Sequence, residues 1–279
     1  MLKIGVVIPT YNRKKLLKRA IESILNQSYD NYMICVVEDC SPDDTSQLIK
    51  QYQTNDKINY IRLEKNMGVN VARNKGIDYL TSSKINCDYI TFLDDDDYFT
   101  PDTFKEANKQ ISKTYTDWLV FNRVYPNGEK ITKSSKYGYL SYFKDKYCGT
   151  VMSGDAVKFI SKKLISDKRY EESFRAREYL FFLLLDNKSK MYVVDFDAVI
   201  CEYLPDGMTH SQPKVSRREN KIIRATEQKI LKSIGLSYEL VEYKKAKSLY
   251  LKMKNEKNIK KAFKYLRHMI KWKIRLFFN

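Results

Sequence analysis

Cysteine is scarce in this sequence. Cys35, Cys40, Cys87, Cys148 and Cys201 are odd in number, widely spaced and without a C-x-x-C pair. That pattern argues against a disulfide framework or a zinc site and implies reduced thiols in a cytoplasmic protein. Long apolar runs are missing too: the longest, Tyr179–Leu185, is far too short to cross a bilayer. The N-terminal residues lack the charged segment and cleavage site of a secretion signal and read directly as a first strand. No glycine-rich phosphate loop follows that strand; Pro9-Thr10-Tyr11-Asn12 stands there instead, which argues against a nucleotidyltransferase.

Negative charge is also in short supply, with 34 Asp and Glu against 51 Lys and Arg, a net charge of +17. The excess is concentrated: residues 217–275 carry 19 Lys and Arg but only 5 Asp and Glu. A basic surplus implies an anionic partner such as a nucleotide, a membrane surface or nucleic acid. Recognition motifs of nucleic-acid-binding domains are absent, so nucleic acid is not expected. Hydrophobic residues make up 43% of the chain and tyrosine alone numbers 22, ample material for a globular core. The length of 279 residues suits one α/β catalytic core with an appendage.

Short apolar runs alternate with amphipathic segments through the first hundred residues, the pattern of β-α units around a mainly parallel sheet. Ile4–Ile8, Met33–Val37, Tyr60–Leu63 and Tyr89–Leu93 read as strands. Leu17, Ala20, Ile21, Ile24 and Leu25 fall at helical spacing, Ser41-Pro42-Asp43-Asp44 signals a helix start, and Val69, Ala72, Gly76 and Leu80 predict a third helix. Further on, 118–132 predicts two strands around Pro126-Asn127-Gly128, 137–155 a loop-rich stretch, and 171–185 a helix. Two more strands are expected at 192–194 and 198–203. Beyond Pro213 the signals are helical, with a break at Gly235.

Polar clusters stand immediately after three of these strands, and ligands gather at strand carboxyl ends in open α/β sheets. Asp94-Asp95-Asp96-Asp97 is the most telling, because adjacent carboxylates repel unless a cation is near, and hard oxygen ligands suit Mg²⁺ or Mn²⁺. A solvated acidic turn or helix cap uses the same residue types. Glu38-Asp39 offers carboxylates to a base or ribose, and Tyr11 a ring for stacking or for packing.

Taken together, Pro9-Thr10-Tyr11-Asn12-Arg13, Glu38-Asp39-Cys40-Ser41-Pro42-Asp43-Asp44-Thr45, Asn66-Met67-Gly68-Val69 with Ala72-Arg73-Asn74-Lys75-Gly76, and Leu93-Asp94-Asp95-Asp96-Asp97 resemble the GT-A, family 2 glycosyltransferases of bacterial cell-surface polysaccharide synthesis. The likeness covers 1–105 closely, 106–204 loosely and the remainder not at all. It implies a Rossmann-like, mainly parallel sheet flanked by helices, occupying 1–212, with a basic helical region at 213–279. It also implies an inverting transfer of sugar from a nucleotide-diphosphate donor, a UDP-sugar, to a hydroxyl of a glycan or lipid-linked acceptor.

By that resemblance Pro9, Thr10, Tyr11 and Arg13 surround the nucleobase, Glu38 and Asp39 bind uracil and ribose, and Asn66, Arg73 and Asn74 line the donor site. Asp94 and Asp95 lie near ribose and sugar. Asp96 ligates Mn²⁺ or Mg²⁺, and His210 contacts phosphate or completes the metal shell. The general base corresponds to Glu178 in Arg175-Ala176-Arg177-Glu178, although Arg177 occupies a position where the family usually has Glu. That departure leaves room for a non-catalytic protein, or another metal-dependent nucleotide binder, on the same fold.

From Ile259 onward, Ile259, Phe263, Leu266, Ile270, Ile274 and Phe277 fall on one side of a helix, widened by Tyr265, Met269, Trp272 and Leu276. Lys260, Lys261, Lys264, Arg267, Lys271 and Arg275 fall opposite. This is the composition of a helix lying in a membrane surface, which would make the protein peripheral on the inner face of the cell membrane. Packing on the core or on a second subunit uses the same face, and the oligomeric state is not legible.

Overall fold

The computed structural model describes residues 1–52, 54–148, 151–173, 177–186, 188–202 and 216–278, without the side chains of 217–219, 248, 252 and 276–278. Three β-α units come first: β1 (Ile4–Thr10), α1 (Lys14–Leu25), β2 (Tyr32–Glu38), α2 (Thr45–Lys50), β3 (Ile58–Arg62) and α3 (Val69–Thr81), then β4 (Tyr89–Phe92). β5 (Asp97–Phe99), α4 (Thr103–Thr114), β6 (Trp118–Val124), β7 (Lys133–Ser134) and β8 (Gly138–Leu140) lead to a π-helical turn, Tyr142–Tyr147. β9 (Met152–Ser153), β10 (Ala156–Ser161), α5 (Lys162–Ile165), α6 (Tyr179–Asp186) and β11 (Met191–Cys201) complete the sheet region. Three helices follow: α7 (Arg217–Ser233), α8 (Tyr238–Asn255) and α9 (Ile259–Phe278).

The main sheet has the order β3-β2-β1-β4-β10-β6-β11-β5, with β8 also on β11. β1 through β4 are mutually parallel, while β10 runs antiparallel to both β4 and β6. All seven residues of β1 are buried, as expected of a strand covered on both faces. Its alternating side chains feed two cores. Val7 joins Ile77 and Leu80 of α3 on one side, and Val6 and Ile8 join Leu17, Ile21 and Ile24 of α1 on the other. Each such fully buried aliphatic side chain contributes roughly 1.5–3 kcal/mol. Gly76 lets α3 approach β1 closely: a Cβ there would stand 2.4 Å from Val7 Cγ1.

Parallel pairing puts the carboxyl ends of β1, β2 and β4 along one edge. Thr10 pairs with Glu38 in register, and Val7 with Phe92, so the polar clusters that follow these strands converge. All five cysteines are free thiols. Among the described residues no helix is long and apolar enough to cross a membrane.

Three expectations need correction. The helix expected over 171–185 begins only at Tyr179, because Arg177 takes a φ of +136° and the backbone at Tyr170 and Glu171 is tied to Asn74 and Asn70 of α3. The two strands expected at 192–194 and 198–203 are one strand, β11, carried through register shifts around Asp197 while Asn122 donates to both Asp195 and Asp197. The return strand after Gly128 is reduced to a single bridge, Val124 to Lys130. Gly235, with φ +74°, does separate α7 from α8. The expected boundary at 212 lies outside the described residues.

Leu231 of α7 and Val241 of α8 enter the α3-side core, and the Tyr147 hydroxyl donates to Glu227 of α7 at 3.0 Å. These two helices therefore pack on the sheet region.

Candidate active site

At the end of β1, Thr10 Oγ1 donates to Asp95 Oδ2 at 2.7 Å, and Arg13 Nη1 reaches Asp95 Oδ1 at 3.3 Å and Asp96 Oδ2 at 2.6 Å. Asn12, between them, adopts φ +56°, and its N–H donates to Ser41 Oγ at 3.0 Å, stitching this loop to the one after β2. Pro9 is buried in β1, whereas Tyr11 is 45% exposed, its ring open to the solvent edge.

After β2 the carboxylates face inward. Glu38 Oε1 accepts from the Ser41 N–H at 3.1 Å and from Arg62 Nη1 at 2.5 Å, and Oε2 accepts from the Tyr60 hydroxyl. Asp39 accepts from the Met67 N–H at 2.6 Å and the Gly68 N–H at 2.8 Å. Gly68, at φ +93°, makes the turn into α3 that aims these N–H groups. Asn66 is exposed on the approach to this turn.

α3 carries Arg73 into the heart of the site. Its Nη1 reaches Glu178 Oε1 at 2.6 Å and its Nη2 reaches Asp94 Oδ1 at 2.9 Å, so one guanidinium joins the candidate base to the acidic cluster. Burial opposes that charge, but Glu178 and Asp94 together outweigh it and hold Arg73 above the ordinary guanidinium range. Asn74, one residue on, turns to the loop before α6, with its Nδ2 on Tyr170 O and Glu172 Oε1, both at 2.9 Å. It anchors the segment that presents Glu178.

The acidic cluster is crowded. Burial, only partly relieved by Thr10 and Arg13, pushes the Asp95 carboxyl up to about 7. Burial also raises Asp97 to about 7 despite Arg123, and raises Asp96, with Asp94 repulsion adding to the effect. Asp94 goes the other way: burial would raise it, but Arg73 and Arg123 hold it below the usual carboxylate range.

Sequence reasoning missed the far wall of this cleft. Arg123 Nη1 meets Asp97 at 2.8 Å, Asp155 at 3.2 Å and Asp94 at 3.5 Å. Lys158 Nζ adds a pair to Asp155 at 3.3 Å. The available signal was an arginine inside the apolar run Trp118–Val124 at a strand's carboxyl end. A cleft of about 50 Å³ opens among Arg73, Asp94, Arg123, Asp155, Tyr170 and Glu178.

These carboxylates fit a hard divalent cation in kind, and burial raises Asp95 and Asp96 above the usual carboxylate range even with Arg13 beside them. In number they supply little: among the described residues no three His, Cys, Asp or Glu side chains are grouped to hold a metal. A cation at Asp96 would thus draw most of its ligands from substrate phosphates and water, the habit of Mg²⁺. His210 lies outside the described residues.

Residues 5–170 match the sequence profile described as Glycosyl transferase family 2. A GalNAc(5)-diNAcBac-PP-undecaprenol beta-1,3-glucosyltransferase of Campylobacter jejuni is 26% identical over 284 residues, covering 95% of this chain and 87% of that protein. A poly(ribitol-phosphate) beta-N-acetylglucosaminyltransferase of Staphylococcus aureus, TarS, is 28% identical over 137 residues, 48% of this chain and 23% of that one. The solved structure of TarS 1–349 in complex with UDP-GlcNAc superposes with a TM-score of 0.73 at 21% identity, covering 91% of this chain and 73% of that structure. The shared architecture is the GT-A fold.

Proposed function

The chain belongs to glycosyl transferase family 2, and from that premise we propose that it is an inverting enzyme moving a sugar from a UDP-sugar to a hydroxyl of a surface polysaccharide or lipid-linked glycan. The relatives support both ends of this reading, one acting on an undecaprenol-linked glycan and another having been solved with UDP-GlcNAc.

The carrying observation is Arg73, which holds Glu178 and Asp94 on opposite sides of one guanidinium. In this reading the nucleoside lies at the β1 and β2 ends, near Thr10, Tyr11, Arg13 and Asp39. Glu38, saturated within the protein, acts by shaping that pocket from behind. Asn66 lies at the pocket's rim, Asn74 holds the loop that presents Glu178, and Asp94 and Asp95 face ribose and sugar.

Glu178 acts as the base. The acceptor oxygen attacks the anomeric carbon from the face opposite the diphosphate, its proton passes to a Glu178 carboxylate oxygen, and the bond to the diphosphate breaks with its electron pair leaving on phosphate oxygen. Mn²⁺ or Mg²⁺, held by Asp96 with His210 as a second candidate ligand, would supply positive charge for the leaving diphosphate. Arg73 keeps the base oriented, and Tyr170, buried and stacked on Phe181 at 4.2 Å, walls the cleft from water.

Glu178→Gln should leave UDP-sugar binding intact while slowing donor turnover about 10²-fold or more. Calorimetric titration of the donor and release of UDP in the presence of Mn²⁺ are the two readouts. Full turnover by this variant would place the base elsewhere.

A further inference from the structure

Beyond the cleft, α9 has a surface that the transfer reaction does not use. The single apolar face expected from the sequence is split in the structure. Ala262 is buried, the Trp272 ring meets Tyr238 of α8 edge-on at 5.7 Å, and Tyr265 and Met269 on the same strip are half-buried. A second strip stays open: Ile259, Phe263, Ile270 and Ile274 are 70%, 62%, 48% and 53% exposed. At 3.6 residues per turn these four lie within about 60° of one another. Beside them, Lys260, Lys264, Arg267, Lys271 and Arg275 form an exposed cationic strip. The side chains of Leu276 and Phe277 lie outside the described residues.

We propose that α9 docks this protein on an anionic lipid surface, with the open apolar strip sinking into the headgroup boundary and the cationic strip facing lipid phosphates. Charge chooses this occupant. A second copy of the chain would bring two cation-rich helices together, and an uncharged protein surface would offer no counter-charge to these five cations, of which Lys271 and Arg275 rest over the Trp272 ring. An anionic bilayer meets both strips at once, because apolar burial and attraction to lipid phosphates act along the same line of the helix. The surrounding region reinforces the field, with 19 Lys and Arg against 5 Asp and Glu over 217–275. The inference rests on α9 alone and stands or falls independently of the chemistry at Glu178.

The test sediments the full chain with vesicles of phosphatidylcholine alone and of phosphatidylcholine mixed with phosphatidylglycerol. Binding is expected to the mixed vesicles only, and to weaken in high salt. Ile270→Glu combined with Ile274→Glu should weaken it at least about tenfold, and Lys264→Gln or Lys271→Gln about fivefold each. All four positions are solvent-exposed, so an unchanged thermal midpoint serves as the control for folding. Absence of binding, equal binding to both vesicle types, or full binding by the Ile270→Glu, Ile274→Glu protein would overturn the proposal. So would a concentration-dependent doubling of mass that these substitutions abolish, which would assign the strip to a second copy.

Discussion

Glu38 and Asp39 at the end of β2, and Asp94 to Asp97 at the end of β4, flank the same central strand in opposite electrostatic conditions. Every carboxylate oxygen of the first pair accepts a hydrogen bond from the protein: from Ser41, Arg62 and Tyr60 for Glu38, and from Met67 and Gly68 for Asp39. The second group shares three arginines among four carboxylates, with Arg13 serving two and Arg123 divided among Asp94, Asp97 and Asp155. Burial accordingly drives Asp95 and Asp97 up to about 7. A carboxylate with its own donors is settled in its loop, whereas carboxylates that must share a guanidinium still have something to gain from a cation or ligand. Glu38 therefore holds its loop, Asp39 braces the turn into α3 at the rim of the nucleoside pocket, and the β4 end has the larger share in meeting the donor.

Removing one carboxylate from each end should separate these roles. The largest effect is expected from Asp96→Ala, which should cut UDP-sugar turnover at least about 10³-fold, about 4 kcal/mol in the barrier, while leaving the thermal midpoint unchanged or higher. Glu38→Ala should do the reverse, losing about 3 kcal/mol of stability because three donors are left without an acceptor; urea unfolding measures it. If the two variants lost stability equally, the division between the ends would be wrong.

Gly76→Ala probes the helix between them. Overpacking against Val7 should cost roughly 1–3 kcal/mol, and turnover should fall through displacement of Arg73, with little change at Asp39. Taken per pH unit, the smallest effect is a slope. Asp95, raised in the folded chain, holds its proton from about pH 4, where it ionises in the unfolded chain, up to about pH 7. Stability therefore falls as pH rises through that window, by no more than about 1.4 kcal/mol per pH unit for one proton. Asp95→Asn should flatten that fall in urea titrations without ligand. Asp94, held low, acts in the opposite sense: its stabilisation is present above about pH 4 and lost below it.

The β-α half of the molecule was readable because its signals are local. Strands buried on both faces show as uninterrupted apolar runs, so β1, β2 and β4 start and stop within a few residues of where Ile4–Ile8, Met33–Val37 and Tyr89–Leu93 predict. Their polar ends then mark one edge of the sheet. What stayed hidden depends on partners far apart in the chain. Arg123 and Asp155 are separated by a hairpin, the short strands β7 to β9 and a π-helical turn, and nothing local announces that they meet. The late start of α6 depends on Asn70 and Asn74, about a hundred residues upstream, drawing the preceding backbone away from a helical path. β11 looked like two strands because Asp195 and Asp197 interrupt its apolar pattern, yet both carboxylates are held by Asn122.

The first turns of α3 act as a spacer of set length. Its entry is gripped where Gly68 binds Asp39, and five residues later Arg73 grips Glu178 and Asp94, an axial rise of about 7.5 Å. Inserting a single residue between those points would swing the guanidinium by about 100° around the axis and release both carboxylates. Val69 here is half-buried and Asn70, Val71 and Ala72 are buried, so the stretch is as constrained in its residue count as in its side chains.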